Sequence, residues 1–258
     1  MREERNIAYV EKNFSGFHNE RHRLDVFAPK EGNHMPVLVF VHGGAWYHGN
    51  KDIYSTLGHN LAELNVVTVI TNYRLGPAAN FMDMAFDCSS AVKWTYENIE
   101  KYGGDKNRIF ISGHSAGGHL SALITLDSKY FDALGISNPI KGCILIDAFG
   151  MNMDFVLKLN TNFFVSDLHR VFTNDPTLWR EAAPVNFVKG CSIPFLIYVG
   201  IRTYPYIMMD NEVFVNHLNQ NKVPHDYHIV PGKGHMEMIS HLEDKRNSMY
   251  KQIAEFIR

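Results

Sequence analysis

No stretch of the 258 residues approaches the roughly 20 consecutive apolar positions that a membrane-spanning helix requires, which predicts a protein with no membrane partner. The charged start Met1-Arg2-Glu3-Glu4-Arg5-Asn6 leads into no apolar segment, so a secretory signal is not expected and the chain reads as cytoplasmic. An excess of one charge is missing too. The 25 Lys and Arg are dispersed among 27 Asp and Glu for a formal net charge of -2, which leaves no basic footprint for nucleic acid. Cysteine is scarce: Cys88, Cys143 and Cys191 are an odd number, far apart, within apolar or helical patterns, and predict buried free thiols rather than a disulfide framework. There is no phosphate-binding or dinucleotide-binding glycine fingerprint, and His225 and His228 on one strand would face opposite sides, so neither cofactor nor metal is expected. Internal repeats, low-complexity tracts and linkers are absent as well.

What is present is ample apolar material, 45% of the chain against 20% charged residues, enough for one large core. We therefore expect a single domain over residues 1–258 and leave a homodimer open. Short runs rich in Val, Ile, Leu and Phe alternate with segments of helical period, the pattern of a parallel sheet covered by helices on both faces. The expected strands are 37–41, 66–71, 108–112, 142–147, 195–200 and 225–230, mostly apolar at successive positions, as strands buried on both faces must be. Two alternating runs, 7–14 and 23–28, predict an antiparallel hairpin at the sheet edge, for eight strands in all. Helical spacing covers 54–64, 82–102, 117–126, 209–218 and 243–257. The connection at about 148–194 is far longer than an ordinary crossover and predicts a lid or pocket wall.

Gly113-His114-Ser115-Ala116-Gly117 lies between the strand ending at Ser112 and the helical run from Gly117, the context of a nucleophile elbow. Small flanking residues allow a strained strand-to-helix turn that lifts Ser115 to the start of the helix, where backbone N–H groups favour negative charge. His42-Gly43-Gly44-Ala45-Trp46 follows the strand 37–41, and its two glycines let backbone N–H groups turn inward as an oxyanion hole would need. With these two motifs the sequence resembles the α/β-hydrolase superfamily, in particular the esterases related to hormone-sensitive lipase and the kynurenine formamidases. The similarity extends through Tyr73-Arg74-Leu75, Pro77, Asp87, Trp94, Tyr102-Gly103-Gly104-Asp105, Trp179 and Ala183-Pro184. It implies an α/β-hydrolase fold with an eight-stranded, mostly parallel sheet, and oxyanion donors at the N–H groups of Gly44, Ala45 and Ala116.

His235 in Gly232-Lys233-Gly234-His235 follows the last expected strand, where this fold carries its catalytic histidine. A neutral imidazole there can take the serine proton. The acid departs from the family. The pattern V-G-x-x-[DE]-x-P falls on Val199 to Pro205 and puts Thr203, which cannot carry charge, at the acidic position. We place the acid at Asp147, at the end of the sixth strand, with Asp210 as the alternative and a Ser-His pair without a carboxylate as the third arrangement.

The expected activity is hydrolysis of a small hydrophobic or aromatic carboxylic ester through an acyl-enzyme, with Ser115, His235 and Asp147 as the catalytic residues. Aromatic residues in the connecting segments, chiefly Trp46, Phe149 and Tyr204 and further Phe163, Phe164 and Tyr206, suggest the substrate pocket. N-formylkynurenine hydrolysis and a catalytically weak ligand-binding member of the fold are the alternatives.

Overall fold

The computed structural model describes residues 1–13, 16–158 and 163–258, and only the backbone over 163–167. Among these residues eight strands form one sheet: β1 Arg2–Ala8, β2 Arg23–Ala28, β3 Met35–Val41, β4 Val67–Thr71, β5 Gly104–His114, β6 Ile140–Ile146, β7 Phe195–Gly200 and β8 His225–Val230. Their order is β1-β2-β4-β3-β5-β6-β7-β8. The pairs β1/β2 and β2/β4 are antiparallel and all others parallel. Parallel neighbours need crossovers, and these carry the helices α1 Ser55–Glu63, α2 Phe81–Asn98, α3 Ala116–Leu126, α4 Lys129–Asp132, α5 Met153–Lys158, α6 Phe163–Phe172, α7 Pro176–Trp179 and α8 Pro205–Gln220. Two more, α9 His235–Ser240 and α10 Ser248–Phe256, follow β8.

The period of two along each strand divides the core. Val37, Val39 and Val41 of β3, with Ile109 and Ile111 of β5 and Ile197 of β7, pack against Phe81 and Met84 of α2, Leu120 and Leu123 of α3, and Phe214 of α8. Leu38, Phe40, Phe110, Ile144 and Leu196 point the other way, to Leu57 and Leu61 of α1 and to Met238, Met249 and Ile253 of α9 and α10. Helix starts follow local chemistry. Asn80 caps α2 by accepting from the Met82 and Asp83 amides while Asp83 accepts from the Asn80 N–H, and Pro205 opens α8.

Three expectations are corrected. The first strand runs over Arg2–Ala8 rather than 7–14: its register pairs Arg2 with Ala28 and Ala8 with Arg23, residues 9–13 turn away, and Phe14 lies outside the described residues. This edge strand is mostly charged and exposed, which blocks edge-to-edge pairing and hides it from any search for apolar alternation. The stretch 82–102 is α2 followed by a tight turn over Ile99–Tyr102, which ends at Gly103 in the left-handed region. The stretch 243–257 yields only α10, whereas His235, which no expected helix included, opens a helix of its own, α9.

Phe214 is fully buried and stands edge-on to Phe195 of β7 at 5.4 Å. Phe214→Ala is expected to cost about 3 to 5 kcal/mol of unfolding free energy, read from urea denaturation, since the close-packed interface between α8 and the sheet cannot refill the void.

Candidate active site

β5 runs straight into the elbow. Ser115 sits between strand and helix with φ 53° and ψ −122°, a conformation that costs energy and is held by its surroundings. A Cβ on Gly117 would lie 2.2 Å from the Val41 carbonyl oxygen, and one on Gly113 would lie 2.3 Å from the Gly117 backbone, so both flanks must be glycine. The Ser115 N–H donates to the Ile146 carbonyl at 3.1 Å, which ties the elbow to the end of β6.

The first residue of α9 is His235. Gly234 precedes this helix and donates its N–H to the Glu237 side chain, which fixes the helix start. Ser115 Oγ donates to His235 Nε2 at 3.0 Å, and His235 Nδ1 donates to Asp147 Oδ2 at 2.5 Å. Asp147 is fully buried and has a positive φ of 47° just beyond β6. Its Oδ1 accepts the Gly200 N–H at 2.8 Å, and its Oδ2 also accepts the Thr203 hydroxyl. The position where an acid was missing thus supplies a hydrogen-bond donor to the carboxylate next door. Asp210, the alternative acid, points elsewhere: from α8 it accepts the N–H groups of Gly150, Met151 and Asn152 at 2.7 to 2.8 Å. It anchors the start of the long connection, and no hydrogen bond joins it to His235 among the described residues.

The loop after β3 folds against Ser115. Gly44, Ala45 and Trp46 have φ of 130°, 50° and 63°, and the Gly44 carbonyl accepts the amides of Tyr47 and His48. A Cβ on Gly44 would lie 2.1 Å from the His48 carbonyl oxygen. Among the described residues neither the Gly44 nor the Ala45 N–H donates a hydrogen bond within the protein. The Ala116 N–H, in the first turn of α3, has no intrahelical acceptor. Beneath the loop, Arg21 donates to the Gly49 carbonyl at 3.1 and 3.2 Å and to the Tyr73 carbonyl at 2.9 Å. His42 is stacked on Tyr73 and donates from Nδ1 to the Gly43 carbonyl at 2.7 Å. Burial lowers His42 to about 3 and keeps it neutral.

Two more histidines frame the site. The ring of His114 lies 4.7 Å from that of His235 and its Nε2 donates to the His235 carbonyl at 3.1 Å; burial lowers it to about 3. His119 accepts the Trp46 Nε1–H at 3.3 Å and donates to the Ala182 carbonyl at 2.7 Å, and burial lowers it to about 4. Trp46, expected to touch substrate, is corrected to a packing residue. It is only 1% exposed, and its ring is enclosed by His119, Phe149 and Phe172, because the turn that frees the Gly44 and Ala45 amides drives the next side chain inward. Phe149 is also largely buried, with its ring between Trp46 and Tyr206. Tyr204 is 51% exposed, stacks on Tyr206 and stands 5.7 Å from the His235 ring. The side chains of Phe163 and Phe164 lie outside the described residues. Sequence reasoning missed the roles of Thr203, the Gly200 N–H, His114 and Arg21; only Thr203 left a signal, as the gap in an acidic pattern. Among the described residues no group of three or more His, Cys, Asp and Glu could hold a metal ion, and no helix is long and apolar enough to cross a membrane.

The BD-FAE family profile matches residues 24–204, which takes in β2 through β7, the loop after β3 and the elbow. The chain belongs to the BD-FAE family. Among curated relatives, Esterase LipC of Mycobacterium tuberculosis is 32% identical over 227 residues, covering 82% of this chain and 56% of that protein. Isoprenylcysteine alpha-carbonyl methylesterase ICME of Arabidopsis thaliana is 41% identical over 232 residues, covering 84% of this chain and 54% of that protein. The chain therefore spans little more than half the length of these relatives. Among solved structures, a truncated carbohydrate esterase from gut microbiota aligns with a TM-score of 0.84 at 20% identity, covering 100% of this chain and 95% of that one. Esterase B from Lactobacillus rhamnosis aligns at 0.81 and 17% identity, covering 99% of this chain and 85% of that one. The fold of this family member is accordingly an α/β-hydrolase fold.

The buried Asp210 gives a pH signature separate from the serine site. Burial raises its carboxyl from 3.8 to about 6, against three amides that favour the charged form. The folded state then holds a proton that the unfolded chain releases, so the Asp210 contribution to stability is full below 3.8 and is lost as pH rises through about 6. The unfolding free energy of the native chain minus that of Asp210→Asn should fall by about 3 kcal/mol across this window in urea titrations at a series of pH values. A difference that stays flat would show that the carboxylate is charged throughout.

Proposed function

We propose that this chain is a serine carboxylesterase that cleaves a small hydrophobic or aromatic ester through an acyl-enzyme. The observation that carries the reading is the unbroken line from Ser115 Oγ to His235 Nε2 at 3.0 Å and from His235 Nδ1 to the buried Asp147 carboxylate at 2.5 Å. Ser115 Oγ attacks the acyl carbon as its proton passes to Nε2, and the imidazolium so formed is met by the Asp147 carboxylate. The N–H groups of Gly44, Ala45 and Ala116 receive the negative oxygen of the tetrahedral intermediate. Its collapse expels the alcohol, which takes the proton back from Nε2. Water then repeats the sequence on the acyl-enzyme and regenerates Ser115. His42, His114 and His119 have ring nitrogens committed to other partners, which leaves His235 as the base.

The names of the esterase relatives support the same class of reaction. Tyr204 and Tyr206 offer an aromatic wall for the substrate, and the described part of the long connection, from Phe149 to Phe172 and beyond, supplies the other wall of the pocket in the single domain, with Phe172 anchored on Trp46 and Phe81. The free thiols of Cys88, Cys143 and Cys191 fit a reducing compartment, and with it a cytoplasmic ester substrate.

A fluorophosphonate probe is expected to label Ser115 stoichiometrically, and Ser115→Ala should lose both labelling and the hydrolysis of p-nitrophenyl esters while remaining folded. Asp147→Asn should lower kcat by about 10⁴, the scale on which loss of a triad acid acts elsewhere, whereas Asp210→Asn should leave kcat near the native value. Turnover retained by Ser115→Ala, or the opposite ranking of the two aspartates, would refute the assignment. Running an aryl formamide beside the ester series separates ester from formamide preference.

A further inference from the structure

Asp147 Oδ2 accepts two hydrogen bonds, one from His235 Nδ1 and one from the Thr203 hydroxyl. A carboxylate has no proton to give, so the threonine must donate. The hydroxyl is aimed by its own backbone. Residues 200–203 form a turn closed by the Thr203 N–H on the Gly200 carbonyl at 3.0 Å. Ile201 donates to the Val230 carbonyl at 3.0 Å and Arg202 to the Lys233 carbonyl at 2.8 Å, which fastens this turn to the segment leading into His235. One short turn thus holds both the group that meets Oδ2 and, through Lys233, the approach to the imidazole.

We propose that Thr203 is a positioning residue of the proton relay: its hydroxyl fixes the plane of the Asp147 carboxylate so that Oδ2 is presented to His235 Nδ1. The proposal rests on the reading of Ser115, His235 and Asp147 given above. The torsion that turns a carboxylate about its last bond has broad minima, and the Gly200 amide alone fixes one oxygen but not the plane. A donor on Oδ2 that is independent of the imidazole removes that freedom. The branched Cβ of threonine limits its own rotamers, so the hydroxyl does not wander from the carboxylate. The contribution appears when the imidazole becomes charged, in the transition state, and not when substrate binds.

Thr203→Val keeps the shape and removes the donor; Thr203→Ser keeps the donor and removes the methyl. The valine variant should lose about 10- to 100-fold in kcat with KM little changed, the effect of losing one hydrogen bond to a charged group, while the serine variant stays within a few-fold of native. Thermal unfolding of both variants, and of Thr203→Ala should valine not fold, establishes that the comparison is between folded proteins. Native kcat in the valine or alanine variant overturns the proposal, as does an equal loss in valine and serine variants or a loss confined to KM. The underlying reading fails separately: Asp147→Asn would then keep native kcat, or the fluorophosphonate would not react with Ser115.

Discussion

A carboxylate taken out of water has to be met by donors, and the ends of three strands are arranged around one such group. Asp147 leaves β6 in a backbone conformation that few residues tolerate, accepts an amide from the last residue of β7, a hydroxyl from the turn beyond it, and the imidazole that opens the helix after β8. The sheet register makes this convergence possible, because β6, β7 and β8 are adjacent and parallel and end at one edge. The elbow is drawn into the same cluster through the Ser115 amide on the β6 carbonyl of Ile146. Displacing the carboxylate would leave uncompensated polar groups on three segments at once.

The loop after β3 presents the opposite case, since among the described residues its Gly44 and Ala45 amides have no internal acceptor. It is braced from below instead. The neutral His42, stacked on Tyr73 and bonded to the Gly43 carbonyl, and the guanidinium of Arg21 on the Gly49 carbonyl hold the loop by its carbonyls while its N–H groups remain directed away. The price is three successive residues at positive φ, and the burial of Trp46 helps to offset it. Arg21 lies before the start of the family match, so this brace comes from a part of the chain that the profile does not cover.

Much of this was legible in the residues. β7 begins and ends where its apolar run does, and the elbow and the glycine pair announced themselves because each needs residue types that little else would select together. The carboxylate beside His235 was legible through a gap, since threonine in an acidic pattern forces the question of where a charge could sit, and the strand-terminal Asp147 lies within hydrogen-bond reach of the imidazole. The edge strand β1 was hidden because its charges serve to repel pairing, and α9 because a helix of six residues has too few turns to display a period. The inward course of Trp46 and the bond from Thr203 to Asp147 depend on distances between segments far apart in the chain, which no local pattern encodes.

Thr203 and His235 lay their hydrogens on the same oxygen, so the acid occupies a place between two strand ends rather than a place in the order of residues. Positions 147 and 203, 56 residues apart in the chain, thus act on the imidazole as one unit, with the charge at one strand end and a donor at the next. Position 203 taken by itself would suggest that His235 has no carboxylate partner. Taken as a pair, the two positions give the chain a carboxylate in hydrogen-bond reach of His235, one strand over from Thr203.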